Sequence, residues 1–543
     1  MSSSTPFRLT ALLLGLAICA ARPAAAHVAP LSDRQMVHAS AHVVVAVVES
    51  QRARWNEPHN LIVTDYDLRI EDRLKGEAPN RLTISIPGGT LDGITHHTCL
   101  TTPLAAGGRY LLFLGDTDRP AFTPLTGAWQ GVFREGDVMM PFASVVEAVR
   151  EMIVELDPLP HIPLPKAPTR HLSSKTYDPA ATPSTGVRQP LMAPSPAWTE
   201  LEPEPVAHGK ASLVRPGQTS EKFLSFGHAN GPIVFNQLTP DSPFAAQDEA
   251  MMGYWNLYAG DFFRVLETPS NTWALGNGAF DIAGFLTDAD MNRVFRQPWG
   301  EGVLAVTVSR MTGPLIQEAD VLFNAAYGWT LDEAQATDPR SGVVGFHHGA
   351  LHELGHTWGL DHPWQHQDVW WDSVMNYAPK AFRNSRLHAD DVRGLRDQYD
   401  SVAIHDGLLS AWITSDLADD NNPVYTAIRP AVGTLRAGGN LGLNGPITLE
   451  NLGTDNIANP TVEVYLTPTR GSLTGSVRLK SVRFRLNARS GDIWQLRFST
   501  LKVPRTVRPG TYSVAFVLKD PRDRFAANNV AWSIYDATVT VTR

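Results

Sequence analysis

The chain has 543 residues, too many for one hydrophobic core, and its length predicts about three domains. Hydrophobic residues make up 43% and charged residues 19%, a globular balance that excludes a wholly disordered chain. The formal net charge of -9 is mild for this length, and without a clustered basic face no nucleic-acid partner is expected.

Residues 1–26 read as an export signal. Arg8 supplies a positive start, Leu12 to Ile18 an apolar stretch, and Ala24-Ala25-Ala26 a small-residue cleavage site before His27. The apolar run is shorter than the ~20 residues that span a bilayer, and no later segment reaches that length. A lipoprotein signal through Cys19 would need a small residue where Ile18 stands. The expectation is a secreted chain, extracellular or periplasmic, with no integral membrane segment. Cleavage removes Cys19 and leaves Cys99 alone, so no internal disulfide forms and a metal would need His and carboxylate ligands.

Residues 27–156 predict a β-rich domain closed by a helix. Val43–Val48 is a continuous apolar run; Tyr66, Leu68 and Ile70, then Leu82, Ile84 and Ile86, alternate with polar residues as half-buried strands do. The second set stops at Pro87-Gly88-Gly89, a turn signal, and Arg109–Leu114 gives another strand. Val145, Val149, Met152 and Leu156 recur at helical spacing behind Ser144, a candidate N-cap. This region resembles a β-barrel-like module found ahead of secreted bacterial metalloproteases.

Residues 157–220 are rich in Pro, Ser and Thr and predict an extended linker open to proteolytic processing. Residues 221–402 mix helices and strands. Ile233–Phe235, Val303–Val308 and Ala319–Phe323 read as strands, Phe244–Val265 as a long helix opened by Asp241-Ser242-Pro243, and Asp390–Tyr399 as a final helix. Residues 403–543 return to short alternating strands, such as Val462, Val464, Leu466 and Tyr512, Val514, Phe516, which predict a sandwich. Glu450-Asn451-Leu452-Gly453, Gly510-Thr511-Tyr512 and Asn528-Asn529 resemble bacterial cell-adhesion-related Ig-like modules, a likeness that implies binding to a cell surface or matrix. The expected fold class is therefore multidomain α+β.

The chemistry concentrates in His352-Glu353-Leu354-Gly355-His356-Thr357-Trp358-Gly359-Leu360-Asp361-His362. His352 and His356, four apart on a helix, place two imidazoles on one face, where a single zinc ion can take both. Glu353 can reach a water on that metal without itself ligating it. Gly359 can adopt a left-handed conformation, end the helix and let His362 swing back as a third ligand. Three protein ligands leave a fourth position open, the mark of a catalytic rather than structural zinc. His348, four before His352, leaves an alternative ligand pair open, with helix packing the favoured reading for His347 and His348.

With Ser373-Val374-Met375-Asn376-Tyr377 downstream, the motif resembles that of the metzincin zinc metalloproteases, in which a methionine turn underlies the metal. That resemblance implies a metzincin-like catalytic domain, a zinc endopeptidase, with His352, His356 and His362 holding zinc, Glu353 as general base, and Gly359 and Met375 supporting the site. Glu318–Asn324 resembles the substrate-flanking edge strand of matrixins and His388–Leu395 their final helix. Pro363 and Tyr377 instead resemble serralysins, and Tyr377 also astacins; in those families the tyrosine hydroxyl stabilises the transition state, a role implied here for Tyr377. The expected partner is a protein or peptide, paired by β-augmentation on Ala319–Asn324.

The matrixin likeness lapses at two points. No cysteine-switch motif precedes the catalytic region, and Cys99 lies in the unrelated setting His96-His97-Thr98-Cys99, which predicts no latency through cysteine. Between residues 221 and 346 the only histidine is His228, too few for a second, structural zinc. Calcium is unreadable, since Asp419-Asp420-Asn421 fits a turn cap as well as a binding loop. Two further readings stand beside the peptidase. One is an inactive exported adhesion protein, against which Glu353 speaks; the other is self-inhibition by the N-terminal domain until the linker is cut.

Overall fold

The computed structural model describes residues 31, 33–100, 103–118, 120–136, 141–156, 187–188, 207–214, 233–237, 243–260, 262–266, 281–332, 335–336, 343–362, 373–375, 386–399, 402–410, 412–414, 425–533 and 537–543. The export signal, Tyr377, Pro363 and Asp419–Asn421 lie outside them.

The first sheet is built from β1 (His42–Trp55), β2 (Ile62–Lys75), β3 (Arg81–Pro87), β6 (Arg109–Leu114) and β7 (Val132–Arg134), in the order β3-β2-β1-β6-β7. The apolar run at its centre is buried, as Val43–Val45 are at most 1% exposed. Helix α2 (Phe142–Leu156) covers the sheet with α1 (Asp33–Ala39), burying Val145 and Val149. It begins two residues before Ser144, whose amide instead donates to the Pro141 carbonyl.

Two strands between β3 and β6 do not join that sheet. β4 (Gly89–Leu91) and β5 (Ile94–Thr98) form a hairpin that extends a second, central sheet. The central sheet also contains β8 (Val187–Arg188), β10 (Ile233–Gln237), β11 (Phe263–Leu266), β12 (Asp281–Leu286), β13 (Ala305–Thr312) and β14 (Leu315–Asn324). Its order is β4-β5-β13-β14-β12-β10-β11-β8. Strands β10, β11, β12 and β14 run parallel to one another, whereas β13 is antiparallel to β14 and to β5, and β8 is antiparallel to β11.

The Phe244–Val265 segment divides into a helix and a strand. Helix α3 (Ala245–Ala259) stops where Gly260 takes φ 78, a left-handed value that costs glycine nothing, and the chain returns as β11. Helix α4 (Asp288–Phe295) is started by a capping box in which the Thr287 hydroxyl and the Asp290 carboxylate each accept the other residue's amide. Helix α5 (Phe346–Thr357) packs on α3, and α6 (Ala389–Gln398) lies beyond. Phe235, Phe285, Phe323, Trp255, Leu354 and Trp358 fill the core between helices and sheet.

The stretch expected to be a linker contains two strands. β8 closes the far edge of the central sheet, and β9 (Ala207–Val214) inserts between Val477–Phe484 and Ile493–Arg497 of the C-terminal β region. That region encloses a core of its own, with Val462, Val464, Leu466, Tyr512, Val514 and Phe516 pointing inward as their alternation predicts. It is fastened to the helices near the histidines: Glu450 accepts from the His388 ring (2.9 Å) and from the Ala389 amide (2.9 Å) at the start of α6.

Candidate metal centre

Helix α5 carries His352, Glu353 and His356, all at most 1% exposed. It ends as the glycine predicts. Gly359 has φ 89, its amide donates to the His356 carbonyl (2.9 Å), and the Leu360 amide reaches back to the Gly355 carbonyl (3.2 Å). This paired closure turns the chain and brings His362 under the helix. The Nε2 atoms of His356 and His362 then lie 3.2 Å and 3.0 Å from that of His352.

The hydrogen bonds on the far side of each ring set which nitrogen faces inward. His352 Nδ1 donates to the Val374 carbonyl (2.8 Å) and His356 Nδ1 to the Leu360 carbonyl (2.8 Å), while His362 Nδ1 lies 3.3 Å from an Asp361 carboxylate oxygen. His352 and His356 therefore aim their Nε2 lone pairs at one point, a mutually repulsive arrangement beside His362 Nε2 that a cation among the three rings relieves. Nitrogens held ~2.0–2.1 Å from one tetrahedral ion stand about 3.3 Å apart, so these separations fit zinc. Burial, with the neighbouring His362 charge, pushes His356 down to about 3, which keeps it neutral and able to ligate. Burial works to raise Asp361, but the hydrogen bond from His362 prevails and holds its carboxyl at about 2.

Met375 lies beneath the helix and is fully buried. Asp391, in the first turn of α6, holds its turn in place. It accepts from the Ser373 hydroxyl (2.5 Å) and from the amides of Val374 (2.9 Å), Met375 (3.2 Å) and His388 (2.8 Å). Since Val374 in turn accepts from His352, Asp391 orients a candidate ligand through one intermediary. His348, one turn before His352, is buried with its ring centroid 6.1 Å from that of His352 and lies outside the three-histidine cluster.

Glu353 is fully buried against β13. The Thr307 hydroxyl lies 2.7 Å from Glu353 Oε2 and 3.0 Å from the Glu353 carbonyl, so it can steady the carboxylate. Cys99 is there too: its Sγ lies 3.7 Å from Glu353 Oε2 and receives the Thr307 amide at 3.4 Å. Sγ, a Glu353 oxygen and a His356 nitrogen lie within 4.8 Å of one another. Burial, then the Glu353 charge, raises the thiol well above its ordinary pKa. Cys99, whose local sequence His96-His97-Thr98-Cys99 gave no link to the site, is brought there by the pairing of β5 with β13.

One expectation about the site is corrected. Ala319–Asn324 is no edge: β14 is paired with β12 on one side and β13 on the other. Sequence alternation could not reveal this, since an interior strand and a one-sided edge strand show the same apolar residues. Thr307, Cys99 and Asp391 were likewise silent, being ordinary residue types whose approach to the site depends on long-range pairing.

Residues 288–400 match the family model described as Matrixin. The match supports a metzincin-like, metallopeptidase-type stretch across α4 to α6, and that family normally uses zinc. No curated protein matches the chain. Among solved structures, the chain is similar to the CARDB domain of a Pyrococcus furiosus protein in complex with di-metal ions. Identity there is 14% over 26% of this chain and 96% of that one, with a TM-score of 0.16, a likeness too slight to carry an argument. Among the described residues, no helix is long and apolar enough to cross a membrane.

Proposed function

We propose that the chain is a secreted zinc-dependent endopeptidase. The observation that carries this reading is the convergence of the His356 and His362 Nε2 atoms within 3.2 Å of that of His352, with Glu353 next to His352 on the same helix. His352, His356 and His362 would hold the ion. Zinc bound there supplies a Lewis acid that brings the pKa of a coordinated water down to about 7.

Glu353 takes a proton from water as its oxygen bonds to the scissile carbonyl carbon, then gives that proton to the departing amine as the C–N bond breaks. Thr307 keeps the carboxylate turned toward that task. Tyr377 donates its hydroxyl to the oxyanion, a role supported by its place two residues after Met375. Asp391 and Met375 hold the floor under His352, and Gly359 makes the turn that delivers His362.

The test is hydrolysis of casein by purified chain beginning at His27, with bound metal measured beside it. Activity that disappears with a zinc chelator and with Glu353→Gln supports the peptidase. Stoichiometric zinc without cleavage, in the folded chain and in variants that open the cleft, would instead favour the exported binding protein.

A further inference from the structure

An extended peptide is gripped by adding it as a strand to an exposed sheet edge, where backbone groups give affinity and side-chain pockets give specificity. With β14 interior, the edge beside the candidate site is β13. It runs directly past Glu353, since Thr307 on β13 touches that carboxylate. That edge is filled by the chain itself: β5 pairs antiparallel along it, Thr98 opposite Val308 and Ile94 opposite Thr312.

Beyond Thr98 the segment continues into the site. Cys99 reaches Glu353, and Leu100 is fully buried in a cluster with Phe122, Phe295, Trp299, Val306 and Leu322. The hairpin is anchored on its own side as well. His96 Nδ1 accepts from the Ile62 amide (2.8 Å), and burial, helped by Arg310, pushes that ring down to about 4, so it stays a neutral acceptor. The first sheet is joined to the region of α4 by Asn60 to the Val294 carbonyl (2.8 Å) and the Phe122 amide to the Pro298 carbonyl (2.7 Å).

We propose that the outer edge of β13 is the peptide-docking edge of this enzyme and that Ile94–Leu100 is its resident occupant, a strand that must leave before a substrate can enter. This rests on the peptidase reading of the same site. A tethered strand competes at an effective concentration of order millimolar or above, so a free peptide of ordinary affinity does not displace it. The chain is then latent as folded. The N-terminal β module then governs access to the site.

Cys99 is the single cysteine after residue 19, which makes its thiol a direct reporter of where the segment lies. The experiment compares the chain from His27 with Thr98→Pro, which breaks the β5 ladder, and Leu100→Asp, which places a charge in the apolar cluster. Each is followed by casein turnover, by the reaction rate of Cys99 with a thiol-reactive dye, and by circular dichroism melting. The expected result is a parent chain with little turnover and a thiol that reacts at least a hundredfold slower than a free cysteine. Both variants gain tenfold or more in turnover and in dye reaction, and Glu353→Gln added to Thr98→Pro abolishes the turnover alone. Equal turnover and equal thiol reactivity in parent and folded variants would overturn the proposal. A thiol freed in both variants without any turnover would keep the occupied edge and remove the peptidase reading. Should both variants unfold, hydrogen exchange on the parent decides the matter. Residues 305–312 protected as slowly exchanging as 315–324 support a filled edge, and fast exchange in 305–312 alone refutes it.

Discussion

Gly355 and Met375 are packed so closely that a single methyl group on the glycine would overlap the methionine sulfur. The glycine sits between the two helical histidines, so its bare face lets the methionine turn rise against the metal-binding side of α5. Alanine is the better helix former by roughly 1 kcal/mol in an exposed helix, yet here the steric conflict wins. Gly355→Ala is expected to lower zinc affinity and turnover at least tenfold and to lower the melting temperature, read by metal titration and calorimetry. An unchanged zinc affinity would show that the turn can retreat without disturbing His352.

Thr307→Val should separate positioning from packing. The isosteric change keeps the methyl groups of β13 but removes the hydroxyl 2.7 Å from Glu353. A fall in kcat of about tenfold with little change in KM is expected, on the scale of one lost orienting hydrogen bond to a charged group. Thr307→Ser should restore most of it. These rates are read in the background of Thr98→Pro, where the cleft is open. A rise in KM alone would make Thr307 a substrate contact instead.

Asp391→Ala removes the acceptor shared by Ser373, Val374, Met375 and His388. Outer partners of this kind are typically worth 10–100-fold in metal affinity. Zinc affinity of the variant should fall by that factor, measured by competition with a chromophoric chelator. Loss of folding without loss of affinity in the remaining folded fraction would show that Asp391 serves the helix start only.

Zinc itself should stabilise the chain. An ion that binds only the folded state at a thousand times its Kd adds ~4 kcal/mol, so chelation should lower the melting temperature of the parent. His352→Ala should abolish the zinc-dependent difference. A difference that survives in that variant would place the stabilising ion elsewhere.

The junction of α3 with the C-terminal β region should make stability depend on pH. Asp406 accepts from the Tyr258 hydroxyl and from Asn528 (2.9 Å), and Asp523 accepts the amides of Gly407 (2.8 Å) and Phe525 (2.8 Å) beside it. Burial, then the Asp406 charge, raises the Asp523 carboxyl to about 7. Its unfolded value is about 3.9, so this contribution to stability is full below about pH 4 and lost as pH rises toward 7. Asp523→Asn should flatten that part of the profile, narrowing the Tm difference between pH 4.5 and pH 8 by a few degrees relative to the parent. An offset identical at both pH values would mean that the pair carries no shared proton.

Much of the local structure was legible before any coordinates. The alternation at Tyr66–Ile70 and Leu82–Ile86 reports burial directly, because strand side chains point to opposite faces, whereas in Val462–Leu466 the intervening Glu463 and Tyr465 are buried as well. The candidate site was legible for a related reason: His352, His356 and Gly359 act within one helix and its terminal turn, where spacing dictates geometry. The long helix read into Phe244–Val265 failed because its apolar content suits a helix or a strand equally, and only the left-handed Gly260 divides them.

The amino-acid sequence alone determined a histidine triad that can face one ion, with a carboxylate next to it, since those relations span at most eleven residues. It could not determine which strand borders that ion or what lies on it. Strand neighbours are chosen by pairing across long stretches of chain, here about two hundred residues between Thr98 and Val308. The same backbone groups would pair with other partners at little intrinsic difference in energy. Only the packed tertiary structure settles that choice, through the apolar cluster around Leu100 and the anchoring of His96 on Ile62, and it is what brings Cys99 to Glu353.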